Sequence, residues 1–248
     1  MSKIKDAILW LFFTNKCTYC GKLVNKGETL CENCRDNLPR IKGERCKYCG
    51  AGKDRCKCNK HKMRYDGITS PFYYEDGIAD GIARFKFGGR DFMAYHFAKD
   101  MAKQVEKEFC DIGFDYITFV PISSFQRRHR DYNQSELLAT ELAKLLSLPV
   151  NNVLKKVFDN NIQHESSQHR RKGNVLGVYD VREKADVKGK IILLVDDIKT
   201  TGATLNECAK ILKIRGAEKV YCVTVALTGQ EKSDSLENKE RNNLKENI

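Results

Sequence analysis

Two adjacent carboxylates, Asp196 and Asp197, follow a run of five apolar residues from Ile191 to Val195. A small, hydroxyl-rich turn comes next, and an amphipathic pattern then predicts a helix from Leu205 onward. The unpaired N–H groups at a helix start and the helix dipole favour an anion such as phosphate. Carboxylates repel phosphate, so the pair would instead hold hydroxyls or a metal ion beside it. The order of these features therefore predicts a site for a sugar phosphate where a buried strand ends.

The turn between the acids and the helix has residue types that suit phosphate. Gly202 lets a ligand approach the backbone closely, and three threonine hydroxyls add hydrogen-bond donors. The ordinary alternative is a buried strand, an Asp that caps a helix and a simple turn; the order of acids, threonines, glycine and helix favours the phosphate site. The predicted phosphate-binding residues are Lys199, Thr200, Thr201, Gly202, Ala203 and Thr204.

A second cluster of reactive side chains lies near the N-terminus, where eight of the eleven cysteines form three CxxC pairs and a closing CxC. Eight thiolates are enough for two tetrahedral four-cysteine zinc sites of the structural kind. No secretory signal precedes them, which disfavours a disulfide framework, and a redox role needs one CxxC rather than several. Sequential and crossed pairings both fit the spacing, and His61 is an alternative ligand. The predicted ligands are Cys17, Cys20, Cys31, Cys34, Cys46, Cys49, Cys56 and Cys58.

The positive charge of the chain is concentrated beside these cysteines. Residues 1–64 hold 16 Lys and Arg against 6 Asp and Glu, whereas the rest of the chain holds 28 against 27. Eight thiolates and two zinc ions would lower the excess of ten in the first segment to about six. This charge favours a polyanion such as nucleic acid, although lysines that merely solvate a small zinc module remain the alternative.

The pattern along the chain predicts an α/β fold with a parallel sheet. We expect an N-terminal helix and zinc-ribbon module at 1–64, the main domain at 65–228 and a charged, disordered tail at 229–248. Residues 65–92 have the pattern of strands and turns. The apolar run at 7–13 is too short to span a membrane. Further elements are predicted as helices at 93–107 and about 133–146, and as strands at 116–120, 191–195 and 220–227.

Basic clusters occur at three further places. The loop after the strand at 116–120 contains Arg127, Arg128 and Arg130, and as a strand-to-helix connection it should lie at the same sheet edge as the acids. Arginine forks there could hold a pyrophosphate through paired hydrogen bonds. The polar stretch at 168–174 has the character of a lid. The third cluster consists of Arg84, Lys86 and Arg90. For each cluster the alternative is a solvated basic face.

The acidic turn closely resembles the 5-phosphoribosyl-1-pyrophosphate (PRPP) loop of type I phosphoribosyltransferases. Nearly the whole chain resembles the ComF family (ComFC/GntX-type), through the cysteine ladder, IARFKFGG at 82–89, VPISSFQRRHRDYNQSELLA at 120–139 and the acidic turn. The resemblance implies that the catalytic pair Asp196 and Asp197 holds the ribose hydroxyls and that residues 199–204 hold the 5′-phosphate. It further assigns Arg127, Arg128 and Arg130 to a pyrophosphate-side loop, and Gln163, Arg171 and Asn174 to a mobile segment over the site.

By the same resemblance we expect a type I phosphoribosyltransferase-like α/β fold with a parallel sheet, preceded by a small Cys-rich zinc ribbon. The implied role is cytoplasmic handling of single-stranded DNA during natural transformation, without membrane insertion. The implied ligands are PRPP with Mg²⁺ and two structural Zn²⁺ ions. A competence helicase and single-strand DNA-handling proteins are the implied partners.

The chain departs from these families at two positions. Asp131 replaces a glycine in the loop expected to meet pyrophosphate, and Thr200 stands where purine-salvage enzymes carry an acid that faces the base. No hood over a nucleobase is visible beyond the zinc module and residues 65–92. The acceptor, and with it catalysis, therefore stays open. The alternatives are a non-catalytic nucleic-acid-binding module with a reused phosphate pocket and a nucleotide-salvage phosphoribosyltransferase.

Overall fold

The computed structural model describes residues 16–25, 27–56, 58, 63–86, 92–123, 132–157 and 177–228. Within them the helices are α1 (Glu32–Asn37), α2 (Asp76–Lys86), α3 (Met93–Glu108), α4 (Gln134–Leu146) and α5 (Ala203–Ile214). The strands are β1 (Gly67–Thr69), β2 (Phe72–Tyr73), β3 (Tyr116–Phe119), β4 (Leu154–Lys156), β5 (Tyr179–Val181), β6 (Ile191–Lys199) and β7 (Lys219–Leu227).

Several predictions fall on residues outside these ranges. They are the helix at the N-terminus, the alternative zinc ligand His61, the cluster member Arg90, the tail at 229–248, and the substitution Asp131. The two predicted ligand-binding groups outside the described residues are Arg127, Arg128 and Arg130, and Gln163, Arg171 and Asn174. Among the helices that are described, none combines the length and apolar character needed to cross a bilayer.

The main sheet is parallel, as the alternating strands and helices predicted. Its order is β1-β7-β6-β3, and β2 pairs with β7 beyond the end of β1. Helices α3 and α4 cover one face and α5 covers the other, so the central strand β6 is buried on both sides. Leu193 and Val195 pack towards α3 and α4, whereas Ile192 and Leu194 pack towards α5. This double burial explains the continuous apolar run in the sequence.

Strand β6 is longer than the five apolar residues indicated. It continues through both acids to Lys199, because β7 runs alongside it as far as Leu227. Ile198 pairs with Ala226, and Lys199 pairs with Leu227. The acids therefore lie within the final part of a strand rather than in a loop. The carboxyl edge of the sheet thus holds them on a rigid backbone.

Residues 76–86 correct the prediction of strands and turns for 65–92, because they form helix α2. Ile78, Ile82 and Phe85 recur at helical spacing and are fully buried. Two glycines inside the helix, Gly77 and Gly81, lower its intrinsic helix propensity and hid the pattern. Gly81 is needed for packing, since a Cβ there would lie 3.1 Å from the backbone oxygen of Tyr19. The zinc ribbon and α2 therefore pack at close backbone distance.

Candidate functional site

The eight clustered cysteines form two separate groups of four. In each group the candidate ligand atoms all lie within 4.8 Å of one another. The pairing is sequential, which decides between the two arrangements that the spacing allowed. The first site consists of Cys17, Cys20, Cys31 and Cys34, and the second consists of Cys46, Cys49, Cys56 and Cys58.

The sulfur geometry fits zinc in both sites. Cys20 and Cys31 sulfurs lie 3.5 Å apart, as do those of Cys46 and Cys58. A tetrahedron with Zn–S bonds of about 2.3 Å has edges of about 3.8 Å, whereas a disulfide needs about 2.05 Å. Burial acts to raise the pKa of Cys17 and of Cys46, but backbone hydrogen bonds outweigh it and lower each to about 7. Each site thus contains a readily formed thiolate, the form that binds metal.

The first ribbon is fastened to helices α2 and α3. Arg84 donates to the backbone oxygens of Thr18 and Tyr19, at 2.9 and 2.5 Å. The Tyr19 ring is buried and packs edge-on against Phe72 and Phe97, with centroids 5.5 Å away in both cases. Its hydroxyl donates to the buried carboxylate of Asp100. Arg84, from the third basic cluster, is therefore a structural residue rather than part of a solvated face.

The second ribbon packs against the sheet next to the acidic turn. Arg45 links it to the main domain, donating to the Ser70 carbonyl at 2.6 Å and to Gln104 Oε1 at 2.6 Å. Gly50, just after a CxxC pair, is so close to Leu227 that a Cβ would lie 3.1 Å from the leucine Cδ1. Leu227 is the strand partner of Lys199. The second zinc site and the acidic turn therefore share a packed region.

The acid pair is held by side chains from two other elements. Asp196 Oδ1 accepts from Ser135 Oγ at 2.8 Å, and Asp197 Oδ2 lies 2.9 Å from Lys86 Nζ. Ser135 is in the first turn of α4, whose N-cap Asn133 accepts from the Ser135 N–H. Lys86 is the last residue of α2. Three chain segments that are far apart in sequence thus meet at the two carboxylates.

Burial and neighbouring charges shift the pKa of Asp196 and the pKa of Lys86. Burial, and then the charge of Asp197, raise the pKa of Asp196 to about 7. The hydrogen bonds from Ser135 and from the Asp197 N–H, and the charge of Lys86, oppose this rise. Burial disfavours the charge on Lys86, but the carboxylate of Asp197 outweighs it and raises the lysine pKa. The edge therefore carries a cation and a proton-binding carboxyl group near neutral pH.

The turn after the acids leaves the start of α5 open to a ligand. Gly202 is the N-cap residue with φ 85°, and no side chain caps the helix. Thr200, Thr201 and Thr204 are exposed at its surface. The Ala203 N–H, at the first position of the helix, donates to Thr201 Oγ1 at 3.3 Å. The end of β6 and the start of α5 thus present amides and hydroxyls beside the two acids.

Lys199 is placed differently from its neighbours in the turn. Only 8% of it is exposed, and its side chain runs beneath Gly202, where a Cβ would lie 3.0 Å from Lys199 Cε. Burial lowers its pKa, while Cys49 and Cys58, the first of several nearby thiols, favour its charged form. The ammonium is thus electrostatically linked to the second cysteine group. The sequence predicted a phosphate contact and carried no signal for this link.

Two residues of the site were not predicted from the sequence. Ser135 falls within the helix predicted from about 133, and Lys86 falls within a basic cluster; neither pattern indicates a contact with the acids. Lys86 lies 110 positions before Asp196 in the chain, so no local spacing could connect them. A serine in the first turn of a helix at the sheet edge was the available signal, because such positions face ligand sites in parallel α/β folds.

Two cavities lie near the functional elements. One of about 380 Å³ opens between the first ribbon and α3 and is lined by Lys16, Arg84, Phe92 and His96, without either acid. The other, of about 200 Å³, lies at the end of β3 beside Pro121, and Lys155, Lys156 and Arg182 give it a basic lining. We place the candidate ligand site at the acids despite the larger volume of the first cavity, because among the described residues only that edge combines carboxylates with an open helix start.

Comparison with known proteins agrees with this architecture. Residues 133–245 match the phosphoribosyl transferase domain family, and residues 8–63 match the double zinc ribbon domain family. Competence protein F of Haemophilus influenzae is 28% identical over 220 residues, covering 84% of this chain and 95% of that protein.

Two further relatives span most of the chain. Competence protein ComFC of Bacillus subtilis is 27% identical and covers 78% of this chain and 82% of its own length. DNA utilization protein YhgH of Escherichia coli is 27% identical, with 84% and 88% covered. The two family matches lie in the same order as the cysteine groups and the sheet with its acidic turn, with the zinc ribbon match first. The chain therefore belongs to the ComF family, with a double zinc ribbon joined to a phosphoribosyltransferase domain.

Proposed function

We propose that this protein binds PRPP at the carboxyl edge of its sheet and handles single-stranded DNA during natural transformation. The observation that carries the PRPP site is the meeting of Asp196 and Asp197 with the uncapped start of α5. A carboxylate pair matches the 2′- and 3′-hydroxyls of ribose, and an open helix N-terminus matches the 5′-phosphate. A single ligand that contains both groups is a sugar phosphate.

We assign different parts of PRPP to different segments of the chain. The amides and hydroxyls of 200–204 would bind the 5′-phosphate, and Arg127, Arg128 and Arg130 the pyrophosphate. Gln163, Arg171 and Asn174 would cover the ligand. Mg²⁺ would arrive with the pyrophosphate and screen its charge, since the only groups of three or more metal-binding side chains in the described ranges are the two cysteine sites.

The reaction available to such a site is displacement at ribose C1. The bond from C1 to the pyrophosphate oxygen breaks with its electron pair leaving on pyrophosphate, and a bond to the acceptor forms. The paired carboxylates would hold the ribose in place and favour the positive charge that develops on the ring. The proposal is PRPP binding at this edge, with transfer of the phosphoribosyl group as its enzymatic form.

DNA is the polyanion that the charge and the names of the relatives favour together, and we propose that its single-stranded form is the one bound. The first 64 residues carry ten excess positive charges before metal binding. The relatives named above are a competence protein F, a competence protein ComFC and a DNA utilization protein. We accordingly propose a competence helicase and single-strand DNA-handling proteins as partners. The second candidate function is DNA binding alone, with the acidic turn serving no ligand.

A pair of titrations separates the two candidates. PRPP with Mg²⁺ is titrated calorimetrically into the zinc-loaded protein and into the Asp196→Asn/Asp197→Asn double variant, and labelled single-stranded DNA is titrated into both over a range of salt. We expect PRPP binding to the wild type alone, and equal DNA binding with a steep salt dependence in both. DNA binding without any PRPP binding would leave DNA binding alone as the function.

A further inference from the structure

Lys86 lies beside the acid pair but belongs neither to the acidic turn nor to the basic loop at 127–130, and it has no role yet in the proposed site. Its Nζ lies 2.9 Å from Asp197 Oδ2, and its side chain is 25% exposed. The pairing places a largely buried cation next to the carboxylates that would hold the ribose hydroxyls. It comes from the end of α2, in the stretch that also fastens the first zinc ribbon through Arg84.

The backbone around Lys86 is fixed to the site rather than free to drift. Gln134 Nε2 donates to the Lys86 carbonyl at 3.3 Å, and the Tyr132 hydroxyl donates to the Phe85 carbonyl at 2.5 Å. Gln134 begins α4, and the next residue, Ser135, holds Asp196. The end of α2 and the start of α4 therefore form one support for both acids. A lysine on such a support is held in the site rather than meeting Asp197 by chance.

We propose that Lys86 is a ligand-contacting residue that binds the pyrophosphate group of PRPP. This assignment rests on the proposed PRPP site and names a further residue for it. In the protein without ligand the ammonium pairs with Asp197. When the acids take the ribose hydroxyls, the ammonium donates to the oxygens of the pyrophosphate on the adjacent carbon.

The geometry of ribose makes this contact reachable. The 2′-hydroxyl and the pyrophosphate are attached to neighbouring carbons, so an ammonium 2.9 Å from a carboxylate that holds the hydroxyl is within side-chain reach of the pyrophosphate oxygens. An ammonium has three donors and a flexible stem, so it can keep Asp197 while it turns a second donor to the phosphate.

Charge supplies the reason for a cation at this point. Two carboxylates beside a pyrophosphate would repel it strongly in a partly buried site. Lys86 reduces that repulsion when PRPP binds. It also stabilises the negative charge that accumulates on pyrophosphate as the bond to C1 breaks and the electron pair moves onto the leaving oxygen. Both effects act on the pyrophosphate end of the ligand and not on the 5′-phosphate.

Because Lys86 is proposed to contact only the pyrophosphate, a ligand without that group distinguishes this contact from a merely structural role. PRPP and ribose 5-phosphate are each titrated with Mg²⁺ into the wild type, Lys86→Met, Lys86→Arg and the control Lys103→Met, an exposed lysine on α3. Methionine keeps the length and packing of the stem but removes the charge. Thermal unfolding of all four proteins checks that the fold is intact.

We expect Lys86→Met to weaken PRPP binding by about 10- to 100-fold, the effect of losing a charged hydrogen bond, and to change ribose 5-phosphate binding by less than about threefold. Lys86→Arg should recover part of the PRPP affinity, and Lys103→Met should match the wild type. Equal losses for both ligands would mean that Lys86 only positions the acids, and unchanged PRPP affinity would mean no contact; either overturns the proposal. If the wild type itself does not bind PRPP, the proposed function fails and this assignment fails with it.

Discussion

The raised pKa of Asp196 predicts a pH-dependent stability that its amide variant should lack. In the native state this pKa is about 7, because the carboxyl group is buried beside Asp197. In the unfolded chain an Asp titrates at about 3.9. A native pKa above the unfolded one means that the native state binds the proton more tightly, so the contribution is full at low pH and is lost as the pH rises through 7.

The size of the effect follows from those two values. Between about pH 6 and pH 8.5 the native group goes from mostly protonated to ionised while the unfolded group stays ionised. The wild type should therefore lose about 1.4 kcal/mol of unfolding free energy across this interval from Asp196 alone. Residual exposure of the side chain to solvent would reduce this to about 1 kcal/mol. Asp196→Asn keeps an acceptor oxygen for Ser135 but cannot titrate.

The assay is urea unfolding of the zinc-loaded wild type, Asp196→Asn and the exposed control Asp111→Asn at both pH values. The stability of Asp196→Asn relative to the wild type should rise by about 1 kcal/mol from pH 6 to pH 8.5, while Asp111→Asn should follow the wild type. Other titrating groups are common to all three proteins and cancel in the comparison. Parallel pH dependences of the wild type and Asp196→Asn would refute the reasoning about the acid pair.

Three further perturbations test the turn and the ribbons. Gly202→Ala adds a Cβ at φ 85° and 3.0 Å from Lys199 Cε, so it should weaken PRPP binding and cost about 1–2 kcal/mol of stability, whereas Gly27→Ala, at φ 86° with no atom within 4 Å, should leave PRPP binding unchanged. Lys199→Met should speed zinc loss to a chromogenic chelator from the second cysteine site, because the buried ammonium offsets thiolate charge, and should leave release from the first site unchanged. A rate of release from the second site equal to that of the wild type would contradict this. Tyr19→Phe removes a donor from the buried Asp100 and should cost about 1–3 kcal/mol in urea unfolding, and a loss below about 0.5 kcal/mol would show that the contact does not hold the ribbon.

The sequence predicts the parts of this fold that depend on local pattern. The apolar run of β6 indicates a strand buried on both faces, so the parallel sheet could be predicted. The spacing of the cysteines is typical of metal sites, so the eight candidate ligands could be predicted as well. Helix α2 could not, because Gly77 and Gly81 weaken its helical signal while serving the close packing of the first ribbon. The length of β6 depends on β7, a partner 28 residues away at Lys199 and Leu227, and no pattern within the strand reports that pairing.

The candidate site divides in the same way. The acids and threonines adjoin one another in the sequence, so their closeness at the sheet edge could be predicted from their order alone. The partners of the acids come from α2 and α4, and the neighbours of Lys199 come from the second ribbon. Such contacts depend on which segments the fold brings together. A spacing rule cannot supply them, and this is why Lys86 and Ser135 were found only in the structure.

The central claim is that the carboxyl edge of β6 is a PRPP site. A crystal structure of the zinc-loaded protein grown with PRPP and Mg²⁺ tests it most directly. We predict the ribose hydroxyls within hydrogen-bond distance of Asp196 and Asp197, and the 5′-phosphate over residues 200–204. PRPP bound elsewhere, such as in the cavity beside His96, or a free acid pair at saturating PRPP, would contradict the claim.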